Sequence, residues 1–285
     1  MSIVKKIKGV AKIILNNLQP KTVIQANVAK LAPNEMLNGR CALITGGTSG
    51  IGYAIAEAFM EAGAKVIITG RSESKLSAVV DKLSKLGVCC GIVMDMTKVE
   101  TLQSCFDEAV SKFGSIDILV NNAGVSGSSI ADATPEKFDD VINTNLRGVF
   151  FLSQVAGKYM VQNAIHGNIL NISSASSIRP AACAYTISKW GIRGFTQGLA
   201  RTLLPYGITV NALAPGPTAT PLLRKPDTND ISLPATPSGR YALPCEIASM
   251  AVILVSDMAR LVVGDTLFMT GGAGNVNNGD IDYPF

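Results

Sequence analysis

Tyr185 and Lys189 are the two residues whose types and spacing most directly suggest chemistry in this 285-residue chain. They stand four apart in a segment of helical pattern, so they fall on one face a turn apart. A phenol alone keeps its proton to about pH 10. An ammonium group beside it favours the phenolate and is expected to lower that value. Such a pair can deliver a proton to the oxygen of a ketone being reduced, or take one from an alcohol being oxidised. A serine hydroxyl aimed at the same oxygen would stabilise the charge that builds there. Ser173-Ser174 stands a short way upstream. Taken alone, a tyrosine and a lysine at this spacing also suit an ordinary surface pair, so a hydride source has to be found elsewhere in the chain.

The apolar run Cys41–Thr45 leads straight into Gly46-Gly47-Thr48-Ser49-Gly50-Ile51-Gly52 and then a helical pattern. Glycines let the main chain turn sharply and approach a pyrophosphate. The helix start then offers unpaired N–H groups and a partial positive charge. A dinucleotide is therefore expected on Gly46, Thr48, Ser49, Gly50, Ile51 and Gly52.

The elements that must position these groups alternate regularly. Short runs rich in Ile, Val and Leu occur at Cys41–Thr45, Lys65–Thr69, Val88–Asp95, Ile116–Asn121, Asn168–Ser173, Ile208–Ala214 and Thr266–Thr270. They are apolar throughout, as strands buried on both faces are. Between them lie helical segments at Ile51–Ala62, Glu73–Leu86, Val99–Phe113, Pro135–Val161, Tyr185–Leu204 and Glu246–Val255. Gly63, Gly87 and Gly114 are the expected C-terminal stops, and Thr134-Pro135 is an expected N-cap and first turn. The pattern predicts an α/β fold, a doubly wound parallel seven-stranded Rossmann sheet in a single domain over 40–274. Residues 217–243 hold five prolines and are expected to form a substrate loop at the carboxyl edge of the sheet. The Arg224-Lys225 pair in it would meet an anionic substrate or be a solvated loop tip.

Residues 1–39 read as a basic amphipathic extension. Ile3, Val4, Ile7, Val10, Ile14 and Leu18 share an arc, with Lys5, Lys8 and Lys12 opposite. This helix would pack on its own domain, on a second subunit, on another protein or on a membrane surface. Seven basic residues against Glu35 give the first 40 residues +6, so the body carries −2 of the overall +4. No basic stripe there suggests nucleic acid. No apolar stretch reaches the roughly 18 residues of a membrane span. Residues 275–285 read as a tail. The six cysteines lack zinc-ligand spacing and read as reduced and cytoplasmic, with Cys89-Cys90 open to a redox reading. The one histidine, His166, excludes multi-histidine metal sites and reads as a turn residue, so no metal is expected.

In this order, Thr45-Gly46-x-x-x-Gly50-Ile51-Gly52, Asn121-Asn122-Ala123-Gly124, Asn145, Ser173-Ser174, Tyr185-x-x-x-Lys189 and Pro215-Gly216 resemble the short-chain dehydrogenase/reductase family over about residues 40–274. The resemblance implies a carbonyl reductase or alcohol dehydrogenase that commonly assembles as a homodimer or homotetramer. Trp190 would pack in that interface. The implied catalytic set is Ser174, Tyr185, Lys189 and Asn145. Lys189 would also bind the nicotinamide ribose, and Asn145 would hold a helix kink and a water of the proton relay. Asn121 would fasten the central strands. Asp95 and Met96 would meet the adenine, with Asp95 equally able to cap the next helix. Asn122, Ala123, Gly124, Pro215, Gly216, Thr218 and Thr220 would complete the cofactor contacts. Ser174 precedes Tyr185 by 11 residues, about two fewer than is usual, which leaves Ser173 or Ser176 as alternatives. At Thr69-Gly70-Arg71, Gly70 stands where NAD-preferring members carry an acid. Arg71 can pair with a 2′-phosphate, so NADP(H) is favoured over NAD(H). Against that, Arg71 could stack on adenine or be solvated, and Ser49 replaces the usual second basic residue. The substrate stays open among 3-oxoacyl thioesters, sugars and small secondary alcohols. The alternative function is a non-catalytic dinucleotide-binding sensor or scaffold.

Overall fold

The central strands of this protein are buried along their whole length, because the sheet is covered on both faces. The computed structural model describes residues 35–223, 230–274 and 276, all within one unit, Leu31–Phe285. The expected N-terminal amphipathic helix, the Arg224-Lys225 pair and the tail apart from Val276 lie outside the described residues.

Seven strands form one parallel sheet: β1 Cys41–Ile44, β2 Lys65–Gly70, β3 Cys89–Val93, β4 Ile118–Asn121, β5 Asn168–Ile172, β6 Thr209–Pro215 and β7 Thr266–Met269. Their order is β3-β2-β1-β4-β5-β6-β7. The helices are α1 Gly50–Glu61, α2 Glu73–Leu83, α3 Leu102–Phe113, α4 Pro135–Ile142, α5 Gly148–Gln162, α6 Ala184–Leu203 and α7 Pro244–Val255. Ala42 and Ile44 of β1 join a core with Ile55 and Phe59 of α1 and Ile247 and Ala251 of α7. Cys41 and Leu43 point the other way, into a core with Phe106 of α3, Leu152 of α5 and Ile192 of α6. The doubly wound sheet is thus as expected. Its chain order reverses between β1 and β4, and ligands bind at the carboxyl edge of such a switch point.

Three helix boundaries differ from the sequence reading. Pro135–Val161 is not one helix: a π-helical turn, Asn143–Arg147, separates α4 from α5. Val99–Thr101 is a 3₁₀ turn leading into α3. α2 stops at Leu83, with Ser84 as its cap, so Gly87 is not its terminator. Gly114 does end α3 in the left-handed conformation (φ 86°), and Thr134 caps α4 through the N–H of Lys137.

Two polar devices hold the sheet in register. At the amino edge, the Arg40 guanidinium donates to the Val255 carbonyl and to Asn168 Oδ1, each at 2.6 Å. In the centre, Asn121 Nδ2 donates to Ser153 Oγ and Asn171 Oδ1, and Asn171 Nδ2 donates to Thr196 Oγ1, all at 2.9 Å. All four side chains are buried. This chain ties β4 and β5 to α5 and α6, the fastening role expected of Asn121. Buried amides left without partners cost about 1–3 kcal/mol each. Asn121→Ala and Asn171→Ala should therefore each destabilise by about 1–3 kcal/mol in urea unfolding, and the double variant should lose less than the sum of the two because the partners are shared.

Candidate active site

The glycine loop is shaped from β4 as much as from its own sequence. Thr45 Oγ1 accepts from the N–H groups of Asn122 and Ala123, both at 3.0 Å. Asn122 Nδ2 donates back to the carbonyls of Thr45 (2.9 Å) and Gly46 (3.1 Å). Gly46 turns with φ 65°, a conformation that glycine adopts without strain. A Cβ at Gly52 would run into the Asn122 amide and the Gly46 carbonyl, so this glycine allows α1 to approach the loop closely. α1 begins with no side-chain cap from Ser49 and no acid in its first turn. Its N–H groups and the positive end of its dipole are left for an anion.

The loop opens onto a cleft of about 910 Å³ at the carboxyl edge of the sheet. Gly46, Thr48, Ser49, Gly50 and Ile51 line it, as does Arg71. A Cβ at Gly70 would stand 2.8 Å from the Thr48 methyl, so an acid there would press on the loop. Asp95 and Met96 line the same region. Asp95 Oδ1 accepts from the Thr97 N–H (3.0 Å) and hydroxyl (2.8 Å). Burial works to raise the Asp95 pKa, but these bonds and the Arg71 charge prevail and hold it below the usual value. Ala123, Gly124, Pro215, Gly216, Thr218 and Thr220 also border the cleft. Asn122 does too, although its amide is committed to the glycine loop.

Three expected groups meet at the other end. Ser174, Tyr185 and Lys189 line the cleft together. Ser173 is buried, and its hydroxyl donates to the Lys189 carbonyl (3.3 Å). Ser174 Oγ accepts from the Ser176 N–H (3.1 Å), and the Ser174 hydroxyl acts on the Tyr185 phenol to lower its pKa. Between the two serines, then, Ser174 is the one beside the phenol. The short segment to α6 is taken up by a 3₁₀ turn, Ala175–Ile178. Lys189 is 6% exposed, and its Nζ donates to the Ile172 carbonyl (2.8 Å) while lying 5.6 Å from the Tyr185 ring centre.

The expected lowering of the phenol's pKa by this lysine is not what the surrounding residues produce. Burial pushes the Tyr185 pKa up, and the Ser174 hydrogen bond only partly offsets that. The ammonium is turned to the Ile172 carbonyl, and burial lowers its own pKa to about 8.

Asn145 and Gly52 do not line the cleft. Asn145 Oδ1 accepts from the Val125 N–H (2.8 Å), and its Nδ2 donates to the Val125 carbonyl (2.9 Å) and to Ser188 Oγ (3.3 Å). Ser188 Oγ in turn donates to the Tyr185 carbonyl (2.7 Å). The helix kink expected at Asn145 is the π turn, and its side chain braces the Tyr185 helix from behind the cleft wall. His166 is exposed, next to Gly207. Trp190 is exposed and donates to the Arg179 carbonyl (2.7 Å).

Some lining residues escaped the sequence reading. Thr144 is buried beside Asn145, and its hydroxyl has no partner among the described residues. Arg179 comes from an irregular segment where no periodicity marks a face. Leu222, Leu223, Leu233 and Tyr241 lie in the proline-rich loop, and only that loop's place in the chain pointed to them. The loop's return is stapled by the Ala219–Ala242 and Ala242–Pro217 main-chain bonds, both 2.9 Å.

A family model described as enoyl-(acyl carrier protein) reductase matches residues 46–274. A 3α-hydroxysteroid dehydrogenase of Mediterraneibacter gnavus is 37% identical over 246 residues, covering 84% of this chain and 98% of the relative. Among solved structures, a 3-ketoacyl-(acyl-carrier-protein) reductase from Brucella melitensis complexed with NADH superposes with a TM-score of 0.76 at 32% identity, covering 84% of this chain and 99% of that one. A short chain dehydrogenase from Burkholderia cenocepacia in complex with NADP gives 0.75 at 34% identity, with the same coverage.

The buried lysine sets a measurable pH dependence. Its folded pKa of about 8 lies below the unfolded value of 10.5, so between the two the unfolded chain binds a proton that the folded protein has shed. Stability from this group therefore rises with pH across that window, and below about pH 8 the folded protein bears the cost of the buried charge. In dinucleotide-free protein, the stability of wild type minus that of Lys189→Met should grow by about 2–3 kcal/mol from pH 7 to pH 10, read by calorimetry.

Proposed function

Because this chain belongs to the short-chain dehydrogenase/reductase family, we propose that it is an NADP(H)-dependent oxidoreductase interconverting a carbonyl group and a secondary alcohol, with 3-oxoacyl thioesters as one candidate substrate class. The observation that carries the reading is the meeting of Ser174, Tyr185 and Lys189 in the cleft that begins at the glycine loop. The backbone cradle, the uncapped start of α1 and the flanking Arg71 suit a dinucleotide. When bound, that cofactor supplies or accepts the hydride.

The chain's own residues do the rest. Thr48, Ser49, Gly50 and Ile51 would hold the phosphates. Arg71 would meet the 2′-phosphate, and Asp95 and Met96 would border the adenine. Asn122, Ala123, Gly124, Pro215, Gly216, Thr218 and Thr220 would enclose the nicotinamide end, where Lys189 Nζ would hold the ribose. Ser174 Oγ–H donates to the substrate oxygen. Tyr185 Oη gives that oxygen a proton during reduction and takes it back during oxidation. Asn145 is a positioning residue, acting through Ser188 on the first turn of the Tyr185 helix. Exposed Phe150, Ile187 and Trp190 on α5 and α6 support a homodimer or homotetramer. No helix among the described residues is long and apolar enough to cross a membrane.

Tyr185→Phe should lower kcat by about 10²–10⁴-fold in NADPH-oxidation assays over ketones and 3-oxoacyl thioesters, with NADPH binding retained by fluorescence. Undiminished turnover in that variant would overturn the mechanism. Arg71→Ala should raise the KM for NADPH about tenfold more than that for NADH, the worth of one lost charge-assisted contact. Tighter binding of NADH than of NADPH by the wild type would overturn the cofactor preference.

A further inference from the structure

The formal charges lining the cleft are unequal in sign and in surroundings. Asp95 is the one acid among the lining residues, and it shares its end with Arg71. Lys189 is buried on the Ile172 carbonyl. The remaining charge is Arg179, which lines the cleft with Ser174, Ser176 and Cys183. Its guanidinium makes no ion pair and no side-chain hydrogen bond among the described residues. The ion pairs found there, Lys112–Glu108, Arg240–Glu246 and Arg260–Asp257, all lie elsewhere.

The main chain of Arg179 is nevertheless well held. Its N–H donates to the Ser176 carbonyl (3.3 Å), and its carbonyl accepts from Trp190 Nε1 (2.7 Å). It stands six residues before Tyr185, in the segment that is short for this family. A cation on a fixed base at the mouth of a reaction site loses only side-chain freedom when it binds an anion. Exposed Leu222 and Leu223 and half-buried Leu233 supply apolar lining to the same cleft.

We propose that Arg179 is a specificity residue that recognises an anionic group, a carboxylate or a phosphate, on a substrate whose carbonyl lies at Ser174 and Tyr185 and whose apolar part lies on the leucines. This rests on the oxidoreductase reading above. A guanidinium matches both groups in planar, two-point geometry.

The test compares kcat/KM for paired substrates with the full chain and NADPH. The pairs are 4-oxopentanoate, 5-oxohexanoate and 7-oxooctanoate against their methyl esters, and dihydroxyacetone phosphate against dihydroxyacetone. For at least one pair, the anion-to-neutral ratio should fall about tenfold or more in Arg179→Gln, further in Arg179→Glu, and be partly restored in Arg179→Lys. The carboxylate and phosphate arms identify which anion is taken. Wild type that turns over the neutral partners but none of the anions, or a ratio unmoved in Arg179→Gln, overturns the proposal and leaves the oxidoreductase reading standing. Octanoate binding to the NADP-loaded protein, measured by calorimetry, needs no turnover. About tenfold weaker binding in Arg179→Gln supports the role, and equal binding or none in wild type overturns it. Activity surviving in Tyr185→Phe would instead sink the mechanism on which the proposal rests.

Discussion

Lys189 brings an ammonium group into a place almost closed to water, where one carbonyl, that of Ile172, receives it at 2.8 Å. Much of the site follows from that arrangement. The carbonyl is available because β5 ends at Ile172, just before the chain leaves the sheet at Ser173. The lysine reaches it because α6 lies along the sheet with Ile192, Ala200 and Leu203 in the core. Burial of the charge is costly, and it brings the lysine's pKa down to about 8.

The rigidity that keeps this lysine in place is polar as well as apolar. The Asn121–Asn171–Thr196 chain, with Ser153, clamps β4 and β5 to α5 and α6 at Thr196, seven residues along α6 from Lys189. The Asn145–Ser188 link does the same for the first turn of α6. On the other side of the switch point, Thr45 and Asn122 exchange hydrogen bonds that hold the glycine loop against β4. The glycine loop and the Ser174–Tyr185–Lys189 end of the cleft are thus fastened to the same two central strands. Their spacing is set by sheet geometry, not by the loops that display them.

Most of the fold was legible because its signals are local. Runs such as Ala42–Ile44 and Val66–Ile68 are apolar at every position, and Gly114 and Thr134 end and begin helices where their backbone or side-chain preferences say they should. What was not legible depends on neighbours. The π turn at Asn143–Arg147 interrupts an unbroken helical pattern, because the Asn145 amide is drawn to Val125 and Ser188. α2 ends before Gly87 for lack of apolar surface to bury beyond Leu83 (Leu86 is 53% exposed). Asn122 was legible as a residue of the site but not as the clamp on the glycine loop that its side chain is.

The sequence by itself determined the alternation that makes a parallel sheet, the glycine loop between a strand and a helix, and the one-turn spacing of Tyr185 and Lys189. These are matters of backbone freedom, apolar periodicity and helix pitch, which neighbouring residues in the chain specify. Only the tertiary structure decided that Ser174 and not Ser173 lies beside the phenol, that Asn145 works from behind the cleft wall, and that burial raises the phenol's pKa. It also decided that Arg179 and the leucines of the proline-rich loop share one cleft. Those outcomes turn on desolvation and on contacts between segments remote in sequence, and both come into being only when the chain has packed.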